Sequence, residues 1–196
     1  MTDIPTGPQP SLGKKEWRLE PHPDFPSHAI QSISVDVDRE AGGGLFLNYC
    51  VTGAIEDVLW PDGEPPQTSG PTDRLWEHSC FEAFVGRPDK PDYIELNATT
   101  SLRWALYAFE DYRTGMTAVD TAFSVMVRFR TDSLEVRVSA LPPDWSRAGE
   151  LLLGLSAIIE AKDGSKSYWA LAHAPGPPDF HNRDCFTARL AAPTGP

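Results

Sequence analysis

An all-β sandwich or barrel is the expectation for this chain, and three features carry it. Apolar and polar residues alternate with period two in run after run, which is the pattern of half-buried strands. Glycine, proline and Asp-Gly turn signals separate these runs at intervals of roughly 8 to 12 residues. No stretch keeps a helical period over a convincing length, and no internal repeat is visible. At 196 residues the chain is read as a single domain, long enough to bury a real core.

The elements follow in order. Residues 1–28 are rich in proline and polar groups and are read as irregular, with Trp17 and Leu19 as anchors onto the domain. Gln31 to Asp38 alternates Ile33, Val35 and Val37 with polar residues, a half-buried strand. Glycines 42–44 turn the chain, and Leu45 to Gly53 returns as the second arm of a hairpin. Ile55 to Trp60 either continues as a strand or bends across the edge. Pro61 to Thr72 holds turn formers and polar groups, a surface loop.

The segment Trp76 to Arg113 is the unit around which the rest is arranged. Trp76 to Val85 reads as a strand with Ser79, Phe81, Ala83 and Val85 on one face and Trp76, His78, Cys80, Glu82 and Phe84 on the other. Two prolines and a glycine in Gly86 to Asp92 force a turn. Tyr93 to Thr99 then sets Ile94, Leu96 and Ala98 against Tyr93, Glu95, Asn97 and Thr99. Arg103 to Phe109 is apolar on both faces after its first residue, which predicts a central strand.

Ala122 to Arg130 and Ser133 to Leu141 form a further hairpin through Thr131-Asp132, stopped by Pro142-Pro143, which remove two backbone donors. Asp144 to Arg147 has the makings of one helical turn. Leu151 to Glu160 is a buried strand, because Gly154 interrupts it and Ile158-Ile159 are β-branched. Asp163-Gly164 turns it into Ser167 to Ala172. A proline-rich loop from His173 to Asp184 precedes a closing strand, Cys185 to Leu190. The domain is therefore bounded as 29–191, with a tail at 192–196.

Charge narrows the partners. There are 17 basic and 28 acidic residues, a net charge of −11, which disfavours nucleic acid and anionic membrane. No window approaches the ~18 apolar residues a membrane helix needs. The N-terminus has no apolar leader, which points to the cytoplasm. Cys50, Cys80 and Cys185 are odd in number and lack a CxxC spacing, so they read as buried free thiols.

The polar content of the central strands is the functional signal. Glu82 and Glu95 lie inside strands, where acidic residues are depleted, and Asn97 and Arg103 are close by. One reading makes them solvated outward positions of a half-buried sheet. The other is a concave face carrying carboxylate, amide and guanidinium groups beside indole rings, suited to a hydroxyl-rich ligand.

The segments LWEHSCFEAFV, YIELNATTSLRWALYAFEDYR and YWALAHAPGPPDFHNRDCF resemble the DOMON-like family, the superfamily that includes family 9 carbohydrate-binding modules, in a bacterial single-domain branch. The resemblance covers roughly residues 30 to 190 and rests on a W-x5-E strand followed by an aromatic-x-E-x-N strand. It implies a jelly-roll-like sandwich of two antiparallel sheets with a ligand site on a concave face, and non-catalytic binding of a carbohydrate or similar small ligand. By resemblance, Trp76 and Trp169 would clamp a sugar ring, while Glu82 and Arg103, with Glu95 and Asn97, would bond its hydroxyls.

Other readings stand beside it. A protein-interaction module would need no small ligand. Haem, bound by some superfamily members, would draw on Met116, Met126, His78 or His173, though no spacing pairs them. A metal at His173, His181, Asp179 and Asp184 fits no ligand template. Glu82 and Glu95 would serve a glycosidase only if they share a face, which a one-residue register slip would reverse. The expectation is no cofactor and no catalysis.

Overall fold

A computed structural model describes residues 15–40, 43–61, 70–140 and 149–192. The strands are β1 (Lys15–Pro21), β2 (Ile30–Arg39), β3 (Leu45–Gly53), β4 (Gly70–Pro71), β5 (Cys80–Gly86), β6 (Tyr93–Ala98) and β7 (Arg103–Phe109). They continue as β8 (Thr117–Ala118), β9 (Phe123–Phe129), β10 (Ser133–Ala140), β11 (Leu151–Glu160), β12 (Lys166–Ala170) and β13 (Ala188–Leu190). Three single 3-10 turns accompany them, and no α-helix occurs among the described residues.

Two sheets face each other. One runs β1-β2-β3-β10-β9; the other runs β4-β7-β6-β5-β11-β12-β1, with β13 beside β11 and β8 beside β7. Strand β1 belongs to both: Lys15 to Leu19 pair with β2, while Glu20 and Pro21 pair with β12. The expected all-β, two-sheet sandwich is what forms. Every strand pairing is antiparallel except the two-residue contact of β4 with β7.

Period-two patterning decides what lies between the sheets. Ile33, Val35, Leu47, Tyr49, Val51, Leu134, Val136 and Val138 from one sheet meet Phe81, Ala83, Val85, Leu96, Leu106, Leu153, Leu155 and Ala157 from the other. Tyr49 crosses this core and donates its phenolic proton to the Glu82 main-chain carbonyl at 2.6 Å, which satisfies a buried hydroxyl.

Inward Phe81, Ala83 and Val85 oblige Cys80, Glu82 and Phe84 to face out of the sandwich. The register repeats this on the neighbours: Phe84 lies opposite Glu95, Glu95 opposite Tyr107, and Glu82 opposite both Asn97 and Ser156. This outer face is not open to solvent. Phe84, Tyr93, Tyr107, Phe109, Ile158, Phe180 and Phe186 form a second buried cluster on it, under loops that include the stretch 173–187.

Four expectations change. Residues 15–21, expected to be irregular, form β1, because Leu19 is buried in the core and the backbone completes both sheets. Trp76 is not in a strand but in a 3-10 turn, Leu75–Glu77, and β5 begins only at Cys80. Strand β7 is near a margin, flanked outward by two-residue strands; its two apolar faces reflect the core on one side and the second cluster on the other. The cysteines are free, but Cys50 is only half-buried. The helical turn expected at Asp144 to Arg147 lies outside the described residues.

Candidate functional site

A cavity of about 420 Å³ opens on the outer face of the second sheet. Strands β5, β6, β7, β11 and β12 contribute Glu82, Phe84, Glu95, Phe109, Ile158 and Tyr168. The loops above them add Trp76, Arg113, Met116, Pro178, Phe180 and His181. The result is a site with aromatic walls and two carboxyl groups set among them.

Both carboxyls come from strand centres. Glu82 and Glu95 retain only 2% and 4% exposure. Glu82 Oε2 accepts from Ser156 Oγ at 3.3 Å, and its Oε1 is buried with no hydrogen-bond partner. Glu95 Oε1 accepts from Asn97 Nδ2 at 2.8 Å. Asn97 is fully buried and in turn sits 3.5 Å from Cys80 Sγ through its Oδ1. Asn97 therefore orients Glu95 and does not border the cavity itself.

His181 enters from the loop and is enclosed by rings. Its imidazole lies edge-on to Phe84, Tyr93 and Phe109, and Tyr93 stacks on Phe109 at 4.8 Å between centroids. Nδ1 is 2.8 Å from Tyr93 Oη, which also accepts the Arg113 backbone N–H at 3.2 Å. With that acceptance made, the Tyr93 proton is free to go to Nδ1, which leaves the imidazole proton on Nε2. Nε2 stands 3.8 Å from Glu95 Oε2.

Arg113 is placed by a tight turn. It adopts φ 52°, the left-handed region that β-carbon sterics penalise, and Gly115 follows at φ 67° where an added Cβ would meet Glu110. Two backbone bonds close this turn, from the Glu110 N–H to the Thr114 carbonyl and from the Thr114 N–H to the Asp111 carbonyl. Arg113 Nη2 and Tyr112 Oη both donate to Asp179 at 2.8 Å, so the guanidinium is tied to the opposite loop.

Electrostatics follow burial. Desolvation pushes Glu82 well above the usual carboxylate range, and the charge of Glu95 pushes it further; Ser156 and Arg113 oppose. Glu95 is raised by burial against the opposing Asn97 hydrogen bond and Arg113. Burial, then Arg113, lowers His181 to about 4, so it is neutral at physiological pH. Burial alone would raise Asp179, but the bonds from Arg113 and Tyr112 outweigh it and hold the carboxyl low.

Of the residues singled out from sequence, Trp76, Glu82 and Glu95 meet at the cavity. Trp76 lies edge-on to Tyr107 at 5.9 Å, and Tyr107 donates its hydroxyl proton to Asp73. Trp169 does not join them. It is 3% exposed, lies opposite Ala157 in the interior, and donates to Ser167 Oγ at 3.1 Å. Strand alternation turns Tyr168, its neighbour, into the cavity. Arg103 is exposed at the start of β7, beside Gly70 and outside the cavity wall. The guanidinium there belongs to Arg113.

The residues considered for haem or metal are scattered. His78 pairs with Glu160 at 2.8 Å, His173 donates to the Glu20 carbonyl at 2.9 Å, and Met126 is exposed on β9. Met116 borders the cavity, but its only histidine neighbour in the wall, His181, has Nδ1 engaged by Tyr93. Asp179 is committed to Arg113. Among the described residues no group of three or more His, Cys, Asp or Glu is arranged to hold a metal ion. None of the helical turns is long and apolar enough to cross a membrane.

The sequence matches no family model and no curated protein. Solved structures do resemble the fold. A provisionally assigned carbohydrate-binding protein from Bacteroides uniformis ATCC 8492 gives a TM-score of 0.65 at 15% identity, covering 91% of this chain and 86% of that chain. A family 9 carbohydrate-binding module from Caldicellulosiruptor kristjanssonii, in complex with cellotriose, gives 0.48 at 10% identity, covering 83% of this chain and 75% of its own. At such identities the first likeness shows a shared fold.

Proposed function

We propose that the cavity binds a small carbohydrate or a similar hydroxyl-rich molecule, without chemical conversion. One observation carries this reading: Glu82 and Glu95 share a cavity with Trp76, Phe84, Phe109 and Tyr168. Carboxyl groups match sugar hydroxyls, and ring faces suit the apolar C–H surfaces of a sugar. The volume of about 420 Å³ lies within the usual range for a small-molecule site. The assignment of the Bacteroides uniformis neighbour as carbohydrate-binding agrees with this reading.

Binding without catalysis is the better reading of the two carboxyls. Glycoside hydrolysis generally separates its pair, one kept protonated as acid and one ionised as nucleophile or base. Here burial raises both, and the neighbours of neither hold it low as an ionised nucleophile or base would require. Trp76 would stack on the ring, Glu82 and Glu95 would bond hydroxyls, and Asn97 would hold Glu95 in place.

A thermal-shift screen against mono- and disaccharides, with Trp76→Ala alongside, tests this. A ligand that binds only the folded state raises the melting temperature by mass action. A shift in the wild type that is absent from the folded variant supports the reading. No shift with any sugar at millimolar concentration turns the weight to a protein-interaction module.

A further inference from the structure

Two buried carboxyls side by side are eased by a proton kept on one of them or by a positive partner, and the guanidinium nearest them, Arg113, acts only through space because it is bonded elsewhere. Glu82 lies opposite Asn97, with Glu95 two residues from Asn97 on the same strand, so the two acids are diagonal neighbours on one face. Among the described residues, no lysine or arginine is within ion-pair distance of either. Arg113, the guanidinium in the cavity wall, is bonded to Asp179. His181 stands 3.8 Å from Glu95, and its burial and the charge of Arg113 keep it neutral.

Glu82 also has a carboxyl oxygen without a hydrogen-bond partner. It is 2% exposed and belongs to the cavity wall, and Oε1 finds no partner while Oε2 is met by Ser156. A buried acceptor without a donor is costly, so such an atom marks a place where a donor is expected. A ligand hydroxyl offers one donor and no charge. A primary ammonium offers three donors and favours the ionised form of the carboxyls it meets. A quaternary ammonium offers charge but no donor and would leave Oε1 unmet.

We propose that the ligand is an amino sugar whose protonated primary amine seats against Glu82 and Glu95 while its ring lies among Trp76, Phe84, Phe109 and Tyr168. This rests on the carbohydrate reading and narrows it. The ring faces around the carboxyls add attraction for a cation. The net charge of −11 raises the local concentration of cations over anions. Asn97, by bonding Oε1 of Glu95, leaves Oε2 as the oxygen facing His181 and available to the amine.

Calorimetric titration of the full chain with D-glucosamine, D-glucose, N-acetyl-D-glucosamine and ethanolamine separates the possibilities. Glucosamine should bind about tenfold or more tighter than glucose, the worth of one charge-assisted contact. N-acetylglucosamine, whose nitrogen is uncharged, should lose that advantage, and Glu82→Gln should bring glucosamine and glucose within about threefold of each other. Glu95→Gln provides the same comparison where Glu82→Gln fails to melt cooperatively. Equal affinity for glucose and glucosamine, or a preference that survives both substitutions, overturns the amine while leaving carbohydrate binding standing. Ethanolamine binding with no sugar bound overturns the carbohydrate reading. No binding of any of the four overturns both.

Discussion

Glu82 and Glu95 share one face of the second sheet, Glu82 opposite Asn97 on β6 and Glu95 opposite Phe84 on β5. The outer face of a sandwich normally drains its polar groups into solvent. Here the loops bearing Trp76, Arg113 and His181 roof it over, and two acids that strand parity sent outward become buried acids. The chemistry of the site follows from that covering.

Glu82 should lower the stability of the ligand-free protein at neutral pH. Its folded-state pKa is raised from 4.5, so above pH 4.5 the unfolded chain loses a proton that the folded chain keeps. Stability therefore falls as pH rises from 4.5 through the raised value. Glu82→Gln should increase stability at pH 8 and flatten the decline above pH 5, read by chemical denaturation. Equal or lower stability of the variant at pH 8 would contradict the burial argument.

His181 acts in the opposite sense and over a lower window. Its pKa falls to about 4, so between the ordinary value of 6.5 and about 4 the unfolded chain takes up a proton that the folded chain refuses. Stability attached to His181 is present above pH 6.5 and is lost as pH falls toward 4. Nitrogen-15 spectra should show a neutral ring with its proton on Nε2 until about pH 4. His181→Phe should retain the contacts to Phe84, Tyr93 and Phe109 and remove this portion of the acid sensitivity.

The two tryptophans separate by role. Trp169→Ala removes a core indole and should cost about 3–5 kcal/mol. Trp76→Ala removes a half-buried ring and should cost less than about 2 kcal/mol while abolishing ligand binding. Denaturation curves for both, and titrations for the folded variants, check the contrast.

The two arginines give a parallel contrast. Arg103→Ala should change stability by no more than about 0.5 kcal/mol and leave binding unaltered, since the side chain is exposed outside the cavity. Arg113→Ala breaks a surface ion pair worth about 0–1 kcal/mol, so its main effect should appear in ligand affinity. A larger change of affinity from Arg103→Ala than from Arg113→Ala would reverse the assignment.

Much of this architecture is legible in the amino-acid pattern. Alternation locates β2, β3, β6 and β10 almost to the residue, because each has one face fixed by the core, and β7 and β11 are legible as apolar runs bounded by turn signals. The same alternation puts Glu82, Phe84, Glu95 and Asn97 on the non-core faces of their strands. It does not tell that this face is covered, since the cover comes from irregular loops with no period to read. Trp169 departs from its expected place for a related reason: Tyr168 and Trp169 are both aromatic, so composition does not say which faces the core. Pairing with Ala157 decides it. Arg113 and His181 lie in loops, and only tertiary contacts bring them to the strands.

Trp76 and Trp169 offer the most direct measurement of the central claim, that the cavity over Glu82 and Glu95 is the ligand site. The indole N–H resonances of both can be followed while glucose or glucosamine is titrated into labelled protein. Saturable shifts of the Trp76 resonance, with Trp169 nearly unmoved and the response lost in Glu82→Gln, are the predicted result. Binding that moves Trp169 or distant residues and leaves Trp76 unchanged would place the ligand elsewhere and contradict the account.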